Sequence, residues 1–279
     1  MRYSLCRSVA EKNGYKWAIN PTPSHDYYGG KQQLDFFNLD YGEHNNYPFK
    51  VVPRWATSVW EEKKYNTSFG YDFYYYQPQV FSIPDNTHMI TSCGADARYY
   101  DRDKLRKWFT IDENKEKEYK EILDKYNIVL DDNLTVINCR GGEFRGVPDL
   151  FLKREYYLSA VSHIIKNNPQ MQFLVITDDV EYFKTVFGCM VAHFSIGCDY
   201  YIINHAKNLI LSNSGFAIMP AWLNKENPQV IAPKYWARHN INKWANSCVW
   251  TFGKEDKWKY LDQYGEMYTY EEVENANNI

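Results

Sequence analysis

The chain has 279 residues, 44% of them hydrophobic, with 32 basic and 35 acidic side chains and a net charge of −3. That length fits one large domain or two medium ones and allows a sizeable core. The near-balanced charge leaves no basic footprint for nucleic acid, and no apolar run reaches the roughly 18 residues of a membrane span.

Aromatic residues make up 18% of the chain, and 25 residues are Tyr. Tyr joins a flat apolar face to a polar tip, which suits wet clefts and sugar rings; a codon bias would produce the same excess. Cys6, Cys93, Cys139, Cys189, Cys198 and Cys248 form no CxxC pair, and several lie in apolar runs. They read as reduced, buried thiols of a cytosolic-type compartment.

The opening "MRYSLCRSVAEKNG" predicts a short amphipathic helix with Tyr3, Leu5 and Val9 on one face and Gly14 as its stop. It lacks the small-residue cleavage site of a signal peptide. Residues 20–100 are rich in Pro, Gly, Asn, Asp and Tyr and read as short strands and long loops. "DRD" at 101–103 has the Asp-x-Asp form of metal-dependent sugar transferases. "KLRKWF" follows it, so Asp103 reads better as a helix cap. "EKEYKEILDKYNI" sets Tyr119, Ile122, Leu123 and Tyr126 at helical spacing, with Asp112 as a candidate cap.

After residue 130 strands and helices alternate. "LTVINCR", "QFLVITDD", "LILSNS" and "QVIAP" read as strands. "REYYLSAVSHIIKNN", "VEYFKTVF", "DYYIINHAKN" and "GFAIMPAWLNK" read as helices, the first with Tyr157, Ala160, Val161, Ile164 and Ile165 as its apolar stripe. This alternation implies an α/β domain with a parallel sheet covered on both faces. In such sheets ligands bind beyond the carboxyl ends of the strands. Three of those ends are polar: "CRGGE", "TDD" and "SNSG".

Arg140 offers a permanent planar fork for phosphate oxygens. Gly141 and Gly142 let backbone N–H groups approach a ligand. Ser212, Asn213, Ser214 and Gly215 precede a helix whose N-terminus is a ready anion site. An Arg and a helix N-terminus on neighbouring strands fit a pyrophosphate. Taken singly, Ser214 is equally a plain N-cap and Arg140 a surface ion pair. Asp178, Asp179 and Asp199 read as ribose or base contacts, or as helix caps. The seven histidines show no ligand spacing. No GxSxG elbow is present, and "GGEFRG" is not followed at once by a helix, so neither a Ser hydrolase nor a dinucleotide motif is indicated.

In order and spacing, "NCRGGEF", "REYYLSA", "FLVITDDVEYF", "DYYIINHAKNLILSNSGFAIMPAWLN" and "VIAPKYW" resemble the α-1,2-fucosyltransferases of glycosyltransferase family 11. The resemblance spans residues 134–236. It implies a GT-B fold, two Rossmann-like domains facing each other across a cleft: an acceptor-side domain over 1–128 and a nucleotide-sugar domain over 129–240. Residues 241–279 would form an extension packing back on the first domain. It also implies that the N-terminal helix lacks the strand and Gly-rich loop that precede it in the family.

The implied reaction moves fucose from GDP-fucose to a glycan hydroxyl, with inversion and without a metal or other cofactor. Arg140 and the Ser214 helix end would stabilise the leaving diphosphate. Asn138, Gly142, Asp178, Asp179, Asp199, Asn213, Ser214, Gly215 and Phe216 would bind the donor. Glu143 is the local carboxylate for the base, or else orients Arg140. Asn138 stands for the family's His, Gly141 for its second Arg, Glu143 for its Asp, Gly215 for its second Ser and Ile218-Met219 for its Trp pair. One lost Arg contact is worth about 1.5–3 kcal/mol, and Arg145 is the nearest replacement. Three other readings stay open: a sugar-nucleotide or glycan binder without turnover, a metal-dependent GT-A transferase using Asp101 and Asp103, and a purely structural interaction protein. The expected setting is cytoplasmic, or peripheral to a membrane, with no nucleic-acid partner.

Overall fold

In a computed structural model, the described residues are 1–18, 35–40, 42, 56–61, 63, 65–66, 72–73, 76–90, 96–239, 244–246 and 256–275. In chain order they form α1 (Arg2–Asn13), β1 (Ser58–Glu61), β2 (Tyr65–Asn66), β3 (Asp72–Phe73), β4 (Thr87–Ile90), α2 (Arg102–Trp108) and α3 (Glu113–Lys125). There follow β5 (Leu134–Cys139), α4 (Arg154–Asn167), β6 (Gln172–Thr177), α5 (Val180–Lys184), β7 (Met190–Ala192), α6 (Ile196–His205), β8 (Asn208–Ile210) and α7 (Gly215–Leu223). The chain closes with β9 (Gln229–Pro233), β10 (Tyr235–Ala237), β11 (Trp244–Asn246), β12 (Trp258–Leu261), β13 (Met267–Tyr268) and α8 (Tyr270–Asn275). Much of 20–100, together with Cys93 and Cys248, lies outside the described residues.

Two compact units divide the chain, Met1–Asp112 and Glu113–Ile279. In the first, α1 buries Tyr3, Leu5 and Val9, and Gly14 ends the helix at φ 69°, a left-handed conformation that suits Gly. Leu5 and Val9 share a core with Val80 and Tyr99. The strands β1 and β4 pair in parallel, and β2 and β3 antiparallel. The Arg7 guanidinium stacks over the Trp108 ring at 4.6 Å. Asp101, rather than Asp103, caps α2: its carboxylate accepts from the N–H groups of Asp103 and Lys104. Asp103 instead pairs with Arg106 at 3.4 Å.

The second unit holds a seven-stranded sheet in the order β13-β12-β9-β8-β5-β6-β7. Every described pairing in it is parallel except β12 with β13. The chain is thus α/β with a parallel-dominated sheet. All six residues of β5 are buried, as expected of a strand covered on both faces. Ile137, Cys139, Tyr156, Tyr157, Ala160, Val175 and Phe183 form one core, and α6 packs on β5 and α7. Counting β5 as first, the parallel strands run third, second, first, fourth, fifth, sixth. That is the doubly wound order, and its switch point falls between β5 and β8.

Three differences from the sequence reading have local causes. The unit boundary falls before α3 rather than at 128, because Tyr119 of α3 meets Tyr201 of α6 with ring centroids 5.8 Å apart. Within 241–279, β12 pairs with β9 and β13 with β12, so these strands extend the sheet of the second unit. On α4 the buried residues are Tyr156, Tyr157 and Ala160, whereas Ile165 is exposed. Val161 and Ile164 pack on the same core as the stripe implies, and the stripe widens to Tyr156, whose hydroxyl donates to Leu211 O at 2.8 Å.

Candidate functional site

The carboxyl ends of β5, β6, β7, β8, β9 and β12 form one polar edge. At the switch point Ser212 Oγ donates to Asn138 Oδ1 at 2.6 Å, and both residues are buried. This bond ties the end of β5 to the loop that leads into α7. Asn138, expected to meet the donor, is thus held by Ser212. Ser214 is the N-cap of α7, its hydroxyl accepting from Phe216 N–H at 3.2 Å. Gly215 opens the helix, and the Phe216 ring lies edge-on to Tyr200. The Asn213 amide donates to Leu150 O at 2.8 Å and Trp236 O at 2.6 Å, so it anchors two loops. Its Oδ1 is buried and has no partner among the described residues.

Arg140 follows β5 directly. Its guanidinium pairs with Glu143 at 2.5 Å and also with Asp178. Asp178 Oδ1 accepts from Gly141 N–H at 2.8 Å. One carboxylate therefore occupies two of the donors that the sequence assigned to a ligand, Arg140 and the Gly141 N–H. The adjacent Asp179 accepts from Tyr182 N–H as the N-cap of α5 and pairs with Arg145 at 3.1 Å. Arg145 thus reaches the loop after β6, stacked over the Tyr182 ring at 4.5 Å.

The glycine pair has a packing cause beside the ligand role expected of it. A Cβ on Gly141 would overlap the Cβ of Asp179, and one on Gly142 would lie 2.6 Å from Asp178 Oδ2. Gly142 also has φ +41°, which side chains adopt at a cost. The pair lets the loops after β5 and β6 touch. Gly141→Ala is expected to cost about 1–3 kcal/mol of stability through overpacking, measured by urea unfolding. Gly146→Ala, with open space around its Cβ, is the matched control and should melt close to the wild type.

The polar edge holds one pair that the sequence did not reveal. His193 Nδ1 lies 2.5 Å from Asp199 Oδ2, and Phe194 N–H donates to Asp199 Oδ1 at 3.1 Å. The side chain of Asp199 is 4% exposed and that of His193 45%. Burial pushes the Asp199 carboxyl up, while His193 and Phe194 N–H stabilise its ionised form. The hydrogen bond to Asp199 raises His193, with Asp178 adding to the effect. Ser195, not Asp199, caps α6. No spacing rule finds this pair, because the turn from β7 into α6 brings together residues six apart.

No protein-family model matches the sequence. Over 126 residues the chain is similar to a glycosyltransferase. That protein is the O-antigen biosynthesis glycosyltransferase WbnK of Escherichia coli, 25% identical, the match covering 40% of each chain. The chain therefore spans less than half the length of this curated relative. Among solved structures it is similar to POFUT1 in complex with GDP-fucose, at 7% identity and a TM-score of 0.42 over 79% of this chain and 88% of that one. It is also similar to the E. coli ADP-heptose lps heptosyltransferase II, at 13% identity and a TM-score of 0.37 over 61% and 52% of the two chains.

Among the described residues no group of three or more His, Cys, Asp or Glu could hold a metal ion. None of the described helices is long and apolar enough to cross a membrane. Cys139 and Cys198 are buried free thiols, and Cys6 and Cys189 are half-buried.

Proposed function

We propose that the chain is a glycosyltransferase of GT-B type that moves a sugar, fucose from GDP-fucose, onto a glycan hydroxyl with inversion and without a metal. The observation that carries this reading is the switch point: Arg140 and the Ser214-capped end of α7 follow adjacent strands, β5 and β8, tied by the Ser212–Asn138 bond. The partial similarity to an O-antigen glycosyltransferase supports the reaction class.

A nucleoside diphosphate leaves with negative charge growing on its β-phosphate. Preorganised donors stabilise that charge. Ser214 already takes the Phe216, Ala217 and Ile218 N–H groups, so α7 contributes the partial positive charge of its N-terminus and the Gly215 N–H, and Arg140 supplies a fork. Glu143 and Asp178 hold Arg140 in a fixed rotamer until phosphate replaces one of them. Glu143, exposed at the rim, takes the proton of the acceptor hydroxyl or keeps Arg140 oriented. The first unit carries the acceptor side on this reading, and no cofactor beyond the donor is required.

The test is a transfer assay with a panel of nucleotide sugars and glycan acceptors in excess EDTA. Transfer that survives EDTA supports the proposal; transfer that needs a divalent metal removes it. Asp101→Ala should cost about 1 kcal/mol as a lost helix cap and leave transfer unchanged, whereas a metal-binding Asp101 would lose it.

A second reading has one observation in its favour. Arg140 is already compensated by two carboxylates, so the site suits a binder that holds a nucleotide sugar without turnover. Calorimetric binding of GDP-fucose with neither hydrolysis nor transfer would select that reading.

A further inference from the structure

Two cations of the polar edge are committed: Arg140 to Glu143 and Asp178, Arg145 to Asp179. His193 differs from both. It is anchored through Nδ1 on a buried carboxylate and makes no hydrogen bond through Nε2 to any described residue. It stands just past the end of β7, which pairs with β6 through Ile176 and Ala192.

The place on the sheet limits what His193 can touch. With the diphosphate at the β5–β8 switch point, an acid at the end of the second strand faces a ribose. Asp178 and Asp179 hold that position after β6. The end of β7 lies one strand further out, about 4.8 Å away. From there a side chain meets the nucleobase and not the reacting sugar, so a role as the catalytic base is disfavoured.

We propose that His193 is a nucleobase contact of the nucleotide-sugar donor, its imidazolium Nε2–H donating to an acceptor on the base edge while Asp199 holds the ring. This rests on the nucleotide-sugar reading of the same site. The ionisable groups acting on His193 are Asp199 from α6 and Asp178 from the loop after β6, and both favour the charged ring. The charged form is present below the raised value of His193 and is lost as pH rises through it. Base recognition therefore weakens in the same direction.

The experiment is calorimetric titration of the wild type and His193→Gln with GDP, UDP and inorganic pyrophosphate, at pH 6 and pH 9. His193→Gln should bind at least one of the two nucleotides about tenfold more weakly than the wild type at pH 6, the loss of one charge-assisted hydrogen bond. The two proteins should converge at pH 9. Pyrophosphate, which has no base, should bind both proteins equally at each pH. Unchanged nucleotide binding at pH 6, or an equal loss of pyrophosphate binding, overturns the assignment while leaving the nucleotide site standing. Wild-type protein that binds neither nucleotide overturns the site reading and the assignment together. A thermal melt of His193→Gln within a degree or two of the wild type excludes a folding defect as the cause.

Discussion

Replacing Arg140 by alanine is expected to lower turnover roughly 10²–10³-fold, the usual loss for a donor aimed at transition-state charge. Arg140 stands at the centre of the polar edge and bridges Glu143 and Asp178. On the proposed function, removing it would take a guanidinium fork from the leaving diphosphate and leave two carboxylates facing that diphosphate. Both effects act on the charge that develops as the sugar departs, so kcat should fall more than KM rises. Arg140→Lys keeps the charge but not the planar fork and should recover only part of the rate. The measurement is steady-state transfer at saturating donor and acceptor. Near-wild-type kcat in Arg140→Ala would falsify the role.

The second large effect is on stability in acid. His239 is 2% exposed, packed beside the backbone of Asp262. It lies edge-on to Tyr156, with ring centroids 5.2 Å apart. Burial pushes its pKa down to about 4, with Asp262 acting in the opposite sense. The folded value is below the unfolded one, so the unfolded chain takes up the proton first as pH falls. The contribution is complete above pH 6.5 and is lost as pH falls toward 4, by about 3 kcal/mol. Urea unfolding of the wild type and His239→Phe at pH 7.5, 5.5 and 4 isolates this residue. The wild type should lose about that much more stability over the range than the variant. Parallel curves would show that His239 carries none of the acid sensitivity.

Some of this was legible in the sequence for a simple reason. A segment's own periodicity reports which of its faces is buried. Leu5 and Val9 with a Gly14 stop gave α1. "LTVINC" and "QFLVIT" gave central parallel strands, and their alternation with helices gave the α/β class and the polar carboxyl edge. The caps Asp179 and Ser214 followed from residue type alone.

Partners across strands were not legible, because they depend on sheet order rather than on local pattern. Three-residue β7 has too few positions to show a period. β12 stands 25 residues beyond β9 and pairs with it only through long-range packing. The sequence placed Gly141 and Gly142 against a ligand, yet tertiary structure set them against Asp178 and Asp179, the loop after the neighbouring strand. It likewise filled Arg140 with internal carboxylates and folded Asp199 back onto His193. Residue types thus determined that this edge would be charged and hydrogen-bonding. The order of strands in the sheet decided which charge meets which, since that order alone brings residues 34 to 74 positions apart to within hydrogen-bond distance of each other.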